Sequence, residues 1–236
     1  MTTLVSLWTE LRKRLEAAGI DTPVIDARLL LEAGAGVRRL DIVIDPRREL
    51  SAEQVEAVEA LAMRRLMREP IGHILGRKAF WTLELEVNAD VLSPRPETEL
   101  LVEAALQILP KDKPARVLDL GVGSGAIILA ILTERPLATG VGVDVSDAAL
   151  AVARRNAEKL GFAHRLELRA ANWCEGLDNI FDLVVSNPPY IPTAEIDGLE
   201  PEVARFEPRL ALDGGADGLG AYRVIIAALP RLLAPQ

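Results

Sequence analysis

The sequence predicts an α/β protein, a mostly parallel sheet with helices on both faces, preceded by a small helical bundle. Three observations predict it. From residue 116 short apolar runs alternate with helical patterns, which is how a chain builds parallel strands joined by crossover helices. A glycine-rich turn, "LDLGVGSGA" at 118–126, connects the first of those strands to a helix. Before residue 70 the apolar residues recur at helical spacing instead.

Taken in order, residues 3–18 place Leu4, Leu7, Trp8, Leu11 and Leu15 on one helical stripe. A second helix is expected over 22–34, with Ile25, Leu29 and Leu30 facing inward. Ser51 and Gln54 have capping-box spacing and open a third helix that carries Val55, Val58, Leu61 and Ala62. "HILGRKAFWTLELEVN", 73–88, has β-rich segments around short turn signals and predicts a hairpin. The expected division is therefore a helical domain over 1–70, a linking hairpin within 71–92 and an α/β domain over 93–236. Pro94 and Pro96 punctuate the chain before a helix over 97–107. Four strands follow, "RVLDL", "ATGVGVD", "RLELRA" and "FDLVVS". Between them run the helix "AIILAILTE" and one that Ser146 caps and Gly161 ends.

Composition narrows the functions. The chain has 236 residues, is 50% hydrophobic and 26% charged, and so has length for a real core. Its net charge is −8 with no basic run, which counts against a duplex nucleic-acid partner, whose phosphates call for a basic face. Cys174 is the only cysteine, so neither a disulfide framework nor a cysteine zinc site is expected. His73 and His164 lack metal-ligand spacing and read as ordinary packing or surface residues. The amphipathic N-terminus is broken by charges, and no stretch is apolar for long enough to span a bilayer. The reading is a reduced, cytoplasmic, monomeric protein with no metal.

Two stretches carry the chemistry. Gly121, Gly123 and Gly125 let a ligand approach the backbone beside a helix N-terminus. Asp144 ends the second strand, 19 residues after Gly125, where a carboxylate can accept both hydroxyls of a ribose. Dinucleotide enzymes use the same device, so the cofactor stays open at this point; a tight connection with no ligand is the plain alternative. The second stretch is "NPPY" at 187–190, directly after the fourth strand. Pro188 and Pro189 have fixed φ and no N–H, and Pro188 holds Asn187 extended. Such a loop presents carbonyl oxygens and the Asn187 side chain, and an NH2 group fits it. Tyr190 would set an aromatic face beside charge developing on that nitrogen. The alternative is a strand-ending turn whose asparagine merely caps the backbone.

"LDLGVGSGA", Asp144, "NPPY" and "SPRPETELLVE" together resemble the HemK/PrmC family, the peptide chain release factor glutamine methyltransferases. The likeness extends through "EPIGHILGRKAFW" to "EPRLALDGGADGL", nearly the whole chain. "NPPY" also occurs in adenine-N6 and other amino methyltransferases and gives only the acceptor class, whereas "PRPETE" narrows the choice. The resemblance implies a Rossmann-like class I S-adenosylmethionine-dependent methyltransferase domain. It implies methyl transfer to the side-chain amide nitrogen of the glutamine in a release factor's Gly-Gly-Gln motif, with S-adenosylhomocysteine as product. By the same resemblance, Gly121, Val122, Gly123, Ser124 and Gly125 border the methionine end of the cofactor, Asp144 its ribose and Trp173 its adenine. Asn187 touches cofactor and substrate, and Asn187, Pro188, Pro189 and Tyr190 grip the glutamine amide. Arg95 and Glu97 either contact the glutamine-bearing loop or, the reading favoured here, cap the 97–107 helix. The helical domain is expected to recognise the protein substrate, with a passive stabilising bundle as the plain alternative.

The chain departs from the family at three points. Val122 and Ser124 stand where threonines are frequent, and Asn172 stands where an aspartate is common. The family's sheet has seven strands and only four are legible before Gln236, so the expectation is either a fragment or a shortened member, with an unprotected apolar edge at the fourth strand. Two other functions remain in play: a nucleic-acid adenine-N6 methyltransferase, and a non-catalytic module that binds cofactor and partner. A nicotinamide oxidoreductase is more distant, because no residue supplies its proton donor.

Overall fold

The computed structural model describes residues 2–178 and 180–234, which divide into two compact units, Met1–Leu75 and Gly76–Gln236. The first unit is helical: α1 (Leu4–Ala17), α2 (Pro23–Ala35), α3 (Asp41–Ile44), α4 (Ala52–Leu66) and α5 (Ile71–Leu75). Leu4, Leu7, Leu11 and Leu15 are buried at i, i+3, i+4 spacing, and Trp8 lies beside them with the Arg12 guanidinium 5.5 Å from its ring. The expected Ser51–Gln54 capping box forms, and a second one joins Thr3 to Ser6. On α2 the buried face is Ala27, Leu30 and Leu31, while Ile25 is half exposed. Its inward face is rotated from the expected one because Asp26 is drawn inside, where it pairs with Arg65 of α4 at 2.7 Å.

The second unit opens with the hairpin, β1 (Arg77–Phe80) and β2 (Leu83–Glu86), paired antiparallel across a Trp81–Thr82 turn. It begins later than the 73–88 pattern predicts. Pro70 precedes a helical turn, α5, and His73 and Ile74 are buried there with the helical unit, so Ile71–Leu75 is not part of a linker. The Trp81 indole N–H donates to Glu134 and its backbone N–H to Glu99.

There follow α6 (Glu99–Ile108), β3 (Ala115–Leu120), α7 (Ala126–Glu134), β4 (Ala138–Asp144), α8 (Asp147–Lys159), β5 (Leu166–Ala170), β6 (Leu183–Ser186), α9 (Pro201–Phe206) and α10 (Gly220–Leu232). The four later strands form one parallel sheet in the order β5-β4-β3-β6. The apolar helix α7 is buried from Ala126 to Leu132. It lies so close to the sheet that a Cβ on Gly140 would stand 2.8 Å from Ile128. On the other face Leu118, Leu120, Val141 and Phe181 pack with Ile225, Ala228 and Leu232 of α10.

The edge beside β6 is less open than expected. The chain leaving α10 returns alongside it: Leu233 bridges Phe181 in parallel, Phe181 N–H donates to Leu232 at 2.8 Å, and Ala234 N–H donates to Phe181 at 3.0 Å. Among the described residues no helix is long and apolar enough to cross a membrane.

Candidate active site

All the loops that leave the carboxyl ends of β3, β4, β5 and β6 meet around one cavity of about 360 Å³. The glycine turn forms its floor. Gly121 and Val122 donate their N–H groups to the Val143 carbonyl at 2.8 and 2.9 Å, folding the turn back over β4. That fold needs left-handed backbone, and Gly121 (φ 75°) and Gly125 (φ 83°) supply it; Gly125 is also the N-cap of α7. Gly142 makes room below, since a Cβ there would stand 2.8 Å from the Val122 side chain.

Asp144 stands where the sequence puts it, at the end of β4 and on the cavity wall. One carboxylate oxygen accepts from Gly123 N–H at 3.0 Å and the other from Ser146 N–H at 2.9 Å. Each oxygen keeps acceptor capacity for a ligand hydroxyl. Trp173 closes the side of the turn, its indole 3.6 Å from the point a Gly121 Cβ would occupy. The neighbouring Asn172 donates to Glu175, which leaves its amide oxygen as an acceptor.

Asn187 lines the same cavity. Its Nδ2 donates to the Thr98 hydroxyl at 3.3 Å, and its Oδ1 accepts nothing from the described residues. The preceding Ser186 hydroxyl is tied to the Leu120 carbonyl at 2.7 Å, which fixes the end of β6 against β3. Thus Gly121, Val122, Gly123, Ser124, Asp144, Trp173, Asn187 and Pro189 share one cavity. Gly125 sits behind it as a cap, and Pro188 is buried beneath the loop. The Tyr190 side chain is 58% exposed and is not among the lining residues, so its ring does not face the cavity as expected.

Arg95 stands at the N-cap position of a short 3-10 turn, Pro96–Thr98, without a side-chain capping bond, and Thr98 rather than Arg95 or Glu97 is the N-cap of α6. Arg95 lines the cavity and pairs at 3.3 Å with Glu207, a buried carboxylate that also accepts from Ser93 N–H, and Glu97 is exposed. This pairing fastens the segment around Pro208 to the "SPRPE" loop, a contact 112 residues apart in sequence.

Two residues in the second unit escape a linear reading. Asn156 on α8, with no exposed surface, accepts from Glu86 N–H and donates to the carbonyls of Glu86 and Ser124, so it ties hairpin and glycine turn together. Asp119 is the second. It is 1% exposed in the middle strand, and neither carboxylate oxygen has a hydrogen-bond partner among the described residues. Burial pushes its carboxyl up to about 8; the Ile128 N–H approaches it and offsets part of this, while the Asp144 charge adds to the rise. An acid inside the apolar run "RVLDL" was the sequence signal for it.

Comparison with known proteins bears on the whole chain. Residues 6–76 match the family described as PrmC N-terminal domain, and residues 97–199 the family described as Methyltransferase small domain. A release factor glutamine methyltransferase of Caulobacter vibrioides is 56% identical over 99% of this chain and 81% of the relative. Another, from Rhodospirillum rubrum, is 49% identical over 94% of this chain and 68% of the relative. Among solved structures, the hMettl16 catalytic domain in complex with the MAT2A 3'UTR hairpin 6 aligns with a TM-score of 0.54 at 15% identity. That alignment covers 79% of this chain and 67% of the other, and at such identity it speaks to fold alone.

Proposed function

The chain belongs to the family of release factor glutamine methyltransferases, and from that membership we propose how its cavity works. It is an S-adenosylmethionine-dependent methyltransferase whose acceptor is a glutamine of a release factor. In this reading the acceptor atom is the side-chain amide nitrogen of the glutamine in a Gly-Gly-Gln tripeptide. The helical segment 1–70 recognises the release factor, and the protein works as a cytoplasmic monomer without touching nucleic acid or membrane.

The cavity residues suit the cofactor. Asp144 would accept the ribose hydroxyls, the Trp173 indole would lie against the adenine, and Gly121 to Gly125 would border the amino-acid end. When bound, S-adenosylmethionine supplies a methyl group activated on a sulfonium.

What the protein must supply is orientation. An amide lone pair is delocalised, and the ~18–20 kcal/mol barrier to amide rotation measures that conjugation. Asn187 Oδ1 and the carbonyls of the Asn187–Pro188–Pro189 turn accept the two hydrogens of the substrate NH2. The lone pair would then stand above the amide plane, open to the methyl group that the cofactor supplies. The same oxygens stabilise positive charge as it develops on nitrogen. Holding two reactants in line is worth ~7–11 kcal/mol of the barrier. No base is required, because the proton on the methylated nitrogen is acidic enough to pass to water.

One observation carries this reading: the Asn187 amide has its NH2 committed to Thr98 and its oxygen without a partner among the described residues, on the wall shared with Asp144 and the glycine turn. The test is incubation with labelled S-adenosylmethionine and, separately, a release factor, a Gly-Gly-Gln peptide and duplex DNA, followed by mass spectrometry. One methyl on the glutamine, and none on DNA, is expected. Asn187→Ala should lower kcat by on the order of 10²- to 10³-fold, the scale of losing one charge-stabilising group. Near-normal methylation by that variant would refute the assignment of the loop.

A further inference from the structure

The "NPPY" loop rests on a second loop, Asp213–Gly220, which lies far beyond it in sequence. The two run side by side. Ile191 bridges Asp213 in parallel; Ile191 N–H donates to Leu212 at 3.1 Å, Gly214 N–H to Ile191 at 2.9 Å and Thr193 N–H to Gly215 at 3.0 Å. The Thr193 hydroxyl donates to Asp213 at 2.6 Å, and the same Asp213 oxygen accepts from Gly215 N–H. Asp213, Gly214 and Gly215 reach the cavity wall on the side of Pro189.

The glycines set how close the loops come. A Cβ on Gly218 would stand 2.3 Å from the Tyr190 carbonyl oxygen. One on Gly214 would stand 2.8 Å from Tyr190 Cα and 2.7 Å from the Gly218 carbonyl oxygen. All of these are backbone atoms, with no flexible side chain to yield. Gly214 has no left-handed φ, so close approach alone accounts for the absence of a side chain there.

We infer that the Asp213–Gly220 strap is a positioning element for methyl transfer, its glycines setting the height at which the carbonyls of the Asn187–Pro188–Pro189 turn meet the substrate amide. This rests on the assignment of that loop to the acceptor nitrogen. The strap runs beside the loop along the cavity wall and, among the described residues, makes no hydrogen bond to Asp144 or Trp173, so it governs turnover more than cofactor affinity. A displacement of about 1 Å at such a site is enough to cost on the order of 10²-fold in rate.

The experiment uses the full chain with a Gly-Gly-Gln peptide, and measures kcat, peptide KM, the Kd for S-adenosylhomocysteine and Tm. Gly214→Ala should lose on the order of 10²-fold in kcat and keep its S-adenosylhomocysteine Kd and a cooperative melt. Gly161→Ala is the control for strain, since Gly161 has φ 79° with nothing within 4 Å of an added Cβ, and its kcat should stay normal. Folded Gly214→Ala with unchanged kcat overturns the inference. If Gly214→Ala does not fold, Thr193→Val decides. It removes the hydroxyl tie to Asp213 without adding volume. A several-fold fall in kcat that Thr193→Ser restores supports the strap, and unchanged kcat overturns it. Asn187→Ala, run in parallel, separates the two ideas. Full activity there refutes the loop assignment itself, whereas inactive Asn187→Ala beside active strap variants refutes only the strap.

Discussion

Replacing Asp119 by Asn should stabilise the protein at neutral pH, and by an amount that depends on pH. The carboxyl is raised from 3.8 to about 8 in the folded chain by burial, with the Asp144 charge adding to it. A group raised in this way contributes its full stability below about pH 4, where folded and unfolded chains are both protonated. Between about pH 4 and 8 the unfolded chain releases a proton that the folded chain keeps, so folding weakens as pH rises; above about pH 8 the loss levels off. At ~1.4 kcal/mol per unit, the roughly three units from 3.8 to neutral amount to about 4 kcal/mol. The asparagine cannot ionise and is spared this loss, while its buried amide carries the same lack of partners at every pH. Urea unfolding of both proteins at several pH values gives the test. The stability difference between variant and native chain should climb by ~1.4 kcal/mol per pH unit from about pH 5 to 7, then flatten near pH 8. A difference that is constant with pH would refute the claim that Asp119 is folded in its neutral form.

Two further variants probe what positions the cavity. Asn156→Ala removes a buried side chain that serves both Glu86 and Ser124, and leaves their backbone groups unpaired. It should cost ~1–3 kcal/mol for each group left so and weaken S-adenosylhomocysteine binding, read by denaturation and by calorimetry. Asp26→Ala removes the buried carboxylate that Arg65, whose side chain is 7% exposed, meets at 2.7 Å inside the helical unit, and leaves in place the bond from Arg65 to the Glu69 carbonyl. It should cost ~3–5 kcal/mol, and the loss should appear in hydrogen exchange of Leu4–Leu66 before that of the sheet.

How much was legible depended on whether a residue's position is set by its neighbours in sequence. Asp144 was, because β4 runs as predicted from Ala138 to Asp144 and the carboxylate must then fall at the sheet's carboxyl edge. So was Asn187, since the prolines after it end β6 whatever lies around them. The Ser51 capping box is closed by Gln54 alone. Ile25 was misplaced because a burial pattern assumes that charges stay outside, and Asp26 goes inside to meet an arginine 39 residues away. The ring of Tyr190 was misplaced for a related reason: the backbone of Tyr190 is fixed by Gly214 and Gly218, and that leaves the side chain toward solvent. Asn156 and Glu207 are polar residues whose meaning lies in tertiary neighbours, and no period of hydrophobicity marks them, whereas Asp119 shows itself only by interrupting the apolar run "RVLDL".

The glycine strap follows from the chemistry of the prolines. A loop meant to hold an NH2 group must offer oxygens and few competing donors, and Pro188 and Pro189 remove two N–H groups at one stroke. Those N–H groups are also what a strand end uses to stay attached to its sheet. A donor-poor loop therefore cannot be held by its own backbone and must be held from outside. Each outside tie has been placed where it leaves the oxygens free. Ser186 fastens the strand end to Leu120, Thr98 takes the Asn187 NH2, and the first backbone N–H beyond the prolines to run along the strap is that of Ile191, donating to Leu212. The strap must approach closely, because Tyr190 lies between the prolines and that first tie, and a side chain on Gly214 or Gly218 would lift it. The requirement for an acceptor-rich cradle in one stretch of sequence thus creates a requirement for bare backbone in another, about 25 residues further along.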